Sequence, residues 1–551
     1  MNVAQAAAEI FKREGVEFLL AYPLNPLTES CAAAGIRPII VRQERVGLHM
    51  ADAISRMTSG EKVGVFACQA GPGVENAFGA VAQAWSEGVP LIFMPGAASR
   101  NQAWIRPGFN ATLNFQHIVK QAEQINTPEM LVPALRRAFS MARNGRPGPV
   151  LIEVPGDMWN QEIKGEIDYK PTRRILSAPS AADVDAAAAK LIAAKRPLIY
   201  AGQGIHYAKA WPELKAVAEL LESPVTTSLE GKSAFPETHA LSLGSGGVAM
   251  PKAVFQHVQE ADVIFGAGAS FTATGFGIRF PTNSDKTFIH NTLDPMDVNK
   301  NIHTDYPLVG DSKLTLEMLH AAVKERIKKP RGLTADVHKR IREQNDPWMA
   351  EWNPRLTSES KPLSPYRVIW DLMQVADVAN TIITHDAGSP RDELSPFWRS
   401  VTPLSYIGWG KSTQLGYGIG LAMGAKLAHP DKLCINMWGD AAIGMTGMDF
   451  ETAVRNNIPI LSILFNNYAM AMEFKVMAVS RAKYHSTDIS GNYADWAKAL
   501  GGYSERVTEP DQVVHALLKG IAATKEGKPA LLEFITTQDK VYSTFEYGYQ
   551  G

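Results

Sequence analysis

The chain has few cysteines, no long hydrophobic run and no excess of charge of either sign. Its three cysteines are far apart in apolar stretches, which predicts buried, reduced thiols and excludes a disulfide framework or a zinc site: Cys31, Cys68 and Cys434. The 55 Lys and Arg residues nearly balance the 56 Asp and Glu residues, so the charge indicates neither nucleic acid nor an anionic membrane as a partner. No apolar run is long enough to cross a membrane, and residues 1–16 are typical of an amphipathic helix rather than a signal peptide. We therefore expect a cytoplasmic protein.

Short apolar runs alternate with helical patterns along almost the whole chain. This alternation is typical of α/β proteins with mostly parallel sheets flanked by helices, and 551 residues are too many for one hydrophobic core. We predict three domains, at 1–164, 185–330 and 366–551, with a charged, proline-containing linker at 331–365. The first and third domains are candidates for distant structural copies.

The most informative segment follows a predicted strand at 433–438. Asp440 emerges from the carboxyl end of this strand, and Asn467 emerges from the next predicted strand, at 461–465. Because such strand ends meet at the ligand-binding edge of a parallel sheet, we expect the two side chains to lie together. Their oxygen atoms suit magnesium or calcium that shares its coordination with phosphate. The flanking residues are small enough for backbone N–H groups to approach a diphosphate: Gly439, Ala441 and Ala442.

This pattern of Gly-Asp, a helix, a hydrophobic strand and Asn-Asn resembles the signature of thiamine-diphosphate-dependent enzymes. The resemblance implies that Asp440 and Asn467 bind the metal through their side chains, and that Ala469 binds it through its backbone carbonyl. Ala441 stands where glycine is commoner. The alternative is an ordinary strand–helix–strand unit with an Asp cap and an Asn-Asn turn.

A second candidate lies in the first domain, where Glu44 follows a predicted strand at 37–42 and begins a helix. A carboxylate that is shielded from water there can drive the tautomerisation of the cofactor's aminopyrimidine. Three segments resemble the pyrimidine domain of the acetohydroxyacid synthase superfamily: 42–53, 69–77 and 145–150. The resemblance implies that Glu44, Gly73 and Asn76 lie at the cofactor. Taken alone, Glu44 could equally be a helix-capping surface residue.

The resemblance covers nearly the whole chain. It implies a pyrimidine domain at 1–164, a central Rossmann-like domain at 185–330 and a diphosphate domain at 366–551. It also implies a homodimer at minimum, with a tetramer as the larger alternative, in which Glu44 reaches the partner's cofactor. The segment 408–418 aligns with the family segment that supports the cofactor in its bent conformation. Leu415 falls where a bulky side chain of the family separates the two rings of the cofactor.

Three further positions are candidates for contact with substrate. Glu473 follows Asn467 at a spacing that resembles pyruvate decarboxylase, where a glutamate handles protons, although it could be a solvated surface residue. Gln116 and His117 lie in the region where the synthases place substrate-side residues. His385, at a predicted strand end, is another possible acid or base, although single histidines are more often structural.

The central domain departs from flavin-binding relatives. It has no GxGxxG fingerprint, and Ser270-Phe271-Thr272 stands where flavin-binding synthases carry Arg-Phe-Asp. We therefore expect thiamine diphosphate with Mg2+ or Ca2+ and without FAD. The predicted function is a flavin-independent, acetolactate-synthase-like lyase, carboligase or decarboxylase acting on a 2-oxo acid or acyloin.

Two other functions remain open from the sequence. The segment 444–449 resembles a loop of the 2-hydroxyacyl-CoA lyase and oxalyl-CoA decarboxylase branch, which would make the substrate an acyl-CoA. A non-catalytic homologue with a regulatory role is the alternative of another class. The presence of Glu44, Asp440 and Asn467 argues against it.

Overall fold

The computed structural model describes residues 1–281, 285–538 and 540–546. The chain forms three sheets of six strands each. All strand pairs in these sheets are parallel. Helices flank each sheet, so the predicted α/β fold with three domains is confirmed. No helix in the described part of the chain is both long and apolar enough to span a membrane.

The first sheet is buried on both faces, as parallel sheets require. Its strands are β1 (Phe18–Ala21), β2 (Arg37–Ile40), β3 (Gly64–Cys68), β4 (Leu91–Ala97), β5 (Ala122–Gln124) and β6 (Pro149–Pro155), in the order β2-β1-β3-β4-β6-β5. Its helices are α1 (Val3–Arg13), α2 (Asn25–Ala33), α3 (Glu44–Met57), α4 (Pro72–Glu87), α5 (Ala111–Phe115) and α6 (Leu131–Arg143). The N-terminal amphipathic helix is therefore present as α1, and β2 ends two residues before the predicted limit.

The central sheet has the strand order of a dinucleotide-binding fold. Its strands are β7 (Pro197–Ala201), β8 (Val225–Thr227), β9 (Ser242–Ser245), β10 (Val263–Ala267), β11 (Thr287–Thr292) and β12 (Tyr306–Val309), in the order β12-β11-β10-β7-β8-β9. Its helices are α7 (Ala181–Ala193), α8 (Gly204–Ala208), α9 (Trp211–Leu221), α10 (Lys252–Glu260) and α11 (Ser312–Arg326). The point where the order reverses, between β7 and β10, opens a crevice at the carboxyl ends of the strands.

The segment 331–365, predicted as a linker, is mostly helical. It contains a 23-residue helix, α12 (Thr334–Leu356), which includes Pro347 and Pro354. The prolines and charges favoured a linker, but Trp348 and Trp352 lie one turn apart and are buried in the core of the third domain. Tertiary packing of this aromatic face therefore stabilises the helix despite its two prolines.

The third sheet repeats the strand order of the first. Its strands are β13 (Thr381–His385), β14 (Tyr406–Ile407), β15 (Leu433–Gly439), β16 (Leu461–Asn466), β17 (Tyr503–Val507) and β18 (Ala530–Ile535), in the order β14-β13-β15-β16-β18-β17. Its helices are α13 (Pro365–Val375), α14 (Ser389–Leu394), α15 (Gly418–Ala428), α16 (Asp440–Thr446), α17 (Asp449–Arg455), α18 (Ala478–Tyr484), α19 (Tyr493–Ala499) and α20 (Val513–Lys525). The two outer domains therefore share one topology, and the helix predicted between β15 and β16, at 447–455, corresponds to α17, with the short α16 before it.

Helices α3 and α15 join the first and third domains at close range. A Cβ on Gly420 would lie 2.4 Å from Cβ of His49, and one on Gly424 would lie 2.3 Å from the carbonyl oxygen of Met50. Only glycine allows the two helices to approach this closely. One buried apolar cluster consequently contains residues of both domains, which fixes the start of α3 relative to the segment before α15.

Candidate active site

Asp440 and Asn467 meet at the tips of two neighbouring strands. Strand β15 pairs with β16, with Gly439 opposite Phe465. The Oδ2 atom of Asp440 accepts hydrogen bonds from the backbone N–H groups of Asn467 (3.2 Å) and Ala469 (3.2 Å). The Oδ1 atom of Asn467 accepts another from the N–H of Ala469 (3.0 Å). The structure therefore brings together the three residues that the sequence proposes as metal ligands.

The turn that follows β16 holds an uncommon backbone conformation. Tyr468 has a φ of 58°, in the left-handed region that bulky residues rarely adopt. The buried Asn466 supports it, since its Oδ1 accepts from the N–H of Tyr468 (3.1 Å) and its Nδ2 donates to Oε1 of Glu533 (2.6 Å). Such strain costs about 1–3 kcal/mol and persists where the surroundings impose it. The turn therefore orients Asn467 and Ala469 at the cost of local stability.

The electrostatics of Asp440 favour a cation. The residue is only 4% exposed, and burial raises the pKa of its carboxyl, while the backbone N–H groups of Ala469, Ala441 and Asn467 act in the opposite direction. No group of three or more His, Cys, Asp or Glu in the described part of the chain could hold a metal alone. One carboxylate, neutral oxygens from Asn467 and Ala469, and phosphate oxygens are ligands that magnesium and calcium accept. The residues present therefore fit a metal-bound diphosphate.

These residues border a cavity of about 440 Å³, a size typical of a cofactor or substrate site. Helix α16 begins at Asp440, and its first three residues line the cavity. The lining contains the small residues and the further candidates that the sequence indicates: Gly439, Ala441, Ala442, Leu415, Asn467, Ala469 and Glu473. The diphosphate-binding part of the prediction thus maps to one continuous surface.

Leu415 lies in an irregular segment before α15, residues 408–417, which we call the strap. The buried carboxylate of Asp386 accepts the N–H groups of Gly416 (2.8 Å) and Gly418 (2.9 Å), and burial raises the pKa of Asp386 to about 6. The guanidinium of Arg45, from α3, donates to the carbonyl of Leu415. The strap is therefore held through its backbone, which leaves the Leu415 side chain at the cavity.

Glu44 forms a separate cluster in the first domain. Its side chain is 4% exposed, and its Oε2 accepts a hydrogen bond from Nδ2 of Asn76 (3.2 Å). A Cβ on Gly73 would lie 3.3 Å from Oε1 of Glu44, so glycine gives the carboxylate room. The three pyrimidine-site candidates are therefore neighbours. Among the described residues that line the cavity beside Asp440, Glu44 does not occur.

The remaining candidates are distributed differently. Glu473 lines the cavity and is exposed in the single chain. Gln116 and His117 are exposed after α5 and contact each other, with 3.4 Å between Nε2 atoms, but they are not part of the cavity lining in the described chain. His385 is fully buried against the ring of Trp409, and burial lowers its pKa to about 3. Its position favours a structural role over the possible acid–base role.

Several supporting residues were missed by sequence reasoning. Asp386 holds the strap, and Asn466 with Glu533 holds the turn after β16. Asp386 and Glu533 act on segments distant in the chain, so no local pattern predicts their roles. The position of Asp386 directly after a buried strand was the only available signal.

Three family models match the chain. They are the N-terminal TPP binding domain of thiamine pyrophosphate enzymes at residues 1–123, the central domain at 184–319 and the C-terminal TPP binding domain at 386–534. Thiamine pyrophosphate is the same molecule as thiamine diphosphate. The order of the models along the chain is the order of the three sheets.

The chain is also similar to acetolactate synthases over almost its whole length. It is 30% identical over 560 residues to a probable acetolactate synthase large subunit of Methanocaldococcus jannaschii, covering 97% of this chain and 92% of that protein. It is 31% identical over 580 residues to the corresponding protein of Methanococcus aeolicus, with the same coverage. It is 27% identical over 543 residues to the acetolactate synthase isozyme 3 large subunit of Escherichia coli, covering 94% and 91%. The chain therefore belongs to the thiamine pyrophosphate enzymes and is an acetolactate-synthase-like member of that family.

Proposed function

We propose that this enzyme is a magnesium-dependent, flavin-independent carboligase that acts on a 2-oxo acid. The observation that carries the proposal is the convergence of Asp440 and Asn467 at adjacent strand tips, in a cavity that Leu415 and Glu473 also line. Similarity to acetolactate synthases supports the choice of a 2-oxo acid. Bound thiamine diphosphate supplies the carbon nucleophile for making or breaking a bond next to a carbonyl.

The residues around the cavity have different roles in binding and catalysis. Asp440, Asn467 and the carbonyl of Ala469 hold the metal, and the backbone around Gly439, Ala441 and Ala442 approaches the diphosphate. Leu415 separates the two rings of the cofactor. Glu473 stands within the lining, where its carboxylate can give or take a proton at the substrate.

Glu44 provides the carboxylate that activates the cofactor. In a homodimer, this cofactor is the one bound by the partner subunit. Glu44 is buried beside Asn76 and does not line the cavity of its own chain within the described residues. A two-fold arrangement in which the first domain of one subunit covers the third domain of the other would complete two identical sites. Gln116 and His117, exposed on the same domain, would then face substrate.

The central crevice supports flavin independence. At the switch point, the N–H of Gly204 donates to the carbonyl of Gly268 (2.8 Å), so the loops after β7 and β10 close on each other where a pyrophosphate would pass. The lining includes the carboxylates of Glu87, Glu230 and Asp297 beside the cations of Arg146 and Lys411, so it offers no net positive charge to an anionic dinucleotide. We expect the purified protein to lack a flavin absorption spectrum.

The test is a substrate panel on enzyme that has been reconstituted with thiamine diphosphate and Mg2+. Pyruvate should release carbon dioxide and yield acetolactate, and omission of either cofactor should abolish the reaction. Cleavage of a 2-hydroxyacyl-CoA in preference to turnover of pyruvate would instead assign the chain to the acyl-CoA branch. Absence of any cofactor-dependent turnover together with absence of cofactor binding would contradict the proposal.

A further inference from the structure

Helix α4 of the first domain runs along the strap of the third domain. The approach is so close that a Cβ on Gly79 would lie 2.1 Å from Nε2 of Gln414. One helical turn further, the buried Gln83 accepts the N–H of Gln414 through its Oε1 (3.2 Å). Helical spacing puts Glu87 on the same face of α4, one more turn along.

Glu87 binds three consecutive backbone amides of the strap. Its Oε1 accepts the N–H groups of Gly410 (3.2 Å), Lys411 (2.7 Å) and Ser412 (3.4 Å). The side chain is 1% exposed, and Nε2 of Gln83 also donates to Oε1 (3.4 Å). This carboxylate therefore replaces water as the partner of backbone groups that no helix or strand satisfies.

The surroundings of Glu87 make the burial of its carboxyl unfavourable. Burial and the nearby carboxylate of Glu230 raise the pKa of Glu87. The Nζ atom of Lys411 lies 3.4 Å from Oε1 of Glu230, so the ion pair of Lys411 is with Glu230. The Oε2 atom of Glu87 has no hydrogen-bond partner among the described residues. A buried carboxyl with one unsatisfied oxygen destabilises a fold, so we expect Glu87 to have a compensating role.

We propose that Glu87 is a positioning residue: together with Gln83, it fixes the strap so that Leu415 is ready to receive thiamine diphosphate. This inference rests on the proposed function, since it assumes that Leu415 contacts the cofactor. Glu87 accepts the amides of residues 410–412 and Gln83 accepts that of Gln414, directly ahead of Leu415. Without them, the backbone before Leu415 would lose its fixed path, and cofactor binding would have to order it.

The test is calorimetric titration of thiamine diphosphate, with Mg2+ present, into the full-length protein and its variants. We expect Glu87→Ala to raise the Kd about tenfold, as loss of a buried hydrogen-bonded acceptor predicts. Glu87→Gln keeps one oxygen for the three amides and should stay within about threefold of the wild type. Unchanged affinity in Glu87→Ala would overturn the inference.

A matched control separates positioning from general stability. Glu222 is also buried, at 3% exposure, and accepts the N–H of Thr334 (2.9 Å), away from the strap. Glu222→Ala should lower the free energy of unfolding to a similar degree without changing the Kd. Equal loss of affinity in this control and in Glu87→Ala would show that the effect is nonspecific and would overturn the inference.

A double-mutant cycle tests whether Glu87 acts through Leu415. Adding Glu87→Ala to Leu415→Ala should change the Kd little further, because the positioned side chain is already gone. Fully additive effects would overturn the inference. If Glu87→Ala does not fold, Gln83→Leu removes the acceptor for Gln414 and the donor to Glu87 but keeps the carboxylate of Glu87; a raised Kd supports the inference and an unchanged one overturns it. Failure of the wild type to bind the cofactor would instead overturn the proposed function.

Discussion

Glu44 is the residue whose chemistry is easiest to isolate. Glu44→Gln keeps the size of the side chain and an oxygen for Asn76 but removes the carboxylate charge. We expect turnover to fall by about 10²–10⁴-fold, the usual contribution of a positioned acid–base group, with little change in cofactor affinity. Steady-state assays and calorimetry on one preparation measure both quantities.

The control for this variant is Glu75→Gln, an exposed glutamate at the start of the same helix as Asn76. It should leave turnover unchanged. Full activity in Glu44→Gln would show that the proposed activation of the cofactor is wrong.

Sequence reasoning works at the residue scale where a chemical motif is local. Asp440 and Asn467 follow strands, so their meeting could be predicted from the parallel order of those strands. Asp386 and Glu87 could not be predicted in the same way. Their partners, the amides of the strap, are distant in the chain and reach them only in the folded protein.

At the scale of structural elements, the backbone conformation of the strap predicts the effect of a substitution on stability and cofactor binding. Gly416 has a φ of +85°, and a Cβ there would lie 2.8 Å from Oγ1 of Thr446. Gly416→Ala should therefore destabilise the protein by about 1–3 kcal/mol and weaken cofactor binding, because the residue next to Leu415 must shift. Urea unfolding and calorimetry measure the two effects.

A nearby glycine provides the comparison. Gly444 lies within α16, and a Cβ there would meet no atom within 4 Å. Gly444→Ala should preserve or raise stability by up to about 1 kcal/mol, as alanine does in helices. If both variants behave alike, the strap does not depend on the backbone conformation of Gly416.

Element boundaries were predictable where hydrophobic periodicity was unambiguous. The strands predicted at 381–384, 433–438 and 461–465 lie within one residue of the limits of β13, β15 and β16, because their apolar runs are flanked by glycine, proline or polar residues. The extent of α12 was not predictable, since two prolines and many charges favour a linker at 331–365, whereas Trp348 and Trp352 pack on the core as part of a helix.

At the scale of the whole molecule, a buried histidine predicts how the free energy of unfolding depends on pH. His206 accepts a hydrogen bond at Nδ1 from the indole of Trp211 (3.0 Å), and burial lowers its pKa to about 4. The unfolded state, with a pKa of about 6.5, binds the proton first, so acid favours unfolding. The stabilising contribution of His206 is present above pH 6.5 and is lost as the pH falls through 4.

His206→Asn removes this titration and keeps a polar group near Trp211. The free energy of unfolding of the wild type relative to this variant should fall by up to about 3 kcal/mol between pH 6.5 and 4. Urea denaturation at several pH values measures the difference. A constant difference across this range would mean that His206 titrates normally in the folded protein.

Subunit complementation tests the proposed assembly. Glu44→Gln and Asp440→Ala should each be inactive, but mixing them with subunit exchange should restore roughly a quarter of wild-type activity. Half of the dimers would be mixed, and each would contain one intact site in a two-fold arrangement. No recovery after demonstrated exchange would place Glu44 and Asp440 at the same chain's cofactor.

The repeated topology of the outer domains was only a possibility from the sequence. Their strand orders are identical in the structure, although no repeat is evident in the residues. The fold depends on the alternation of apolar runs along the chain. Extensive substitution can preserve this alternation while it removes the similarity between the residues of the two domains. The arrangement of subunits lies beyond what one chain's pattern specifies.

Cofactor binding itself is the most direct test of the proposed site. Thiamine diphosphate should bind the wild-type protein in a calorimetric titration with Mg2+, at one site per chain, and chelation of the metal by EDTA should abolish the signal. Asp440→Ala should lose binding while its urea unfolding remains cooperative. Binding that is unaffected by both EDTA and Asp440→Ala would contradict the assignment of this strand edge as the diphosphate site.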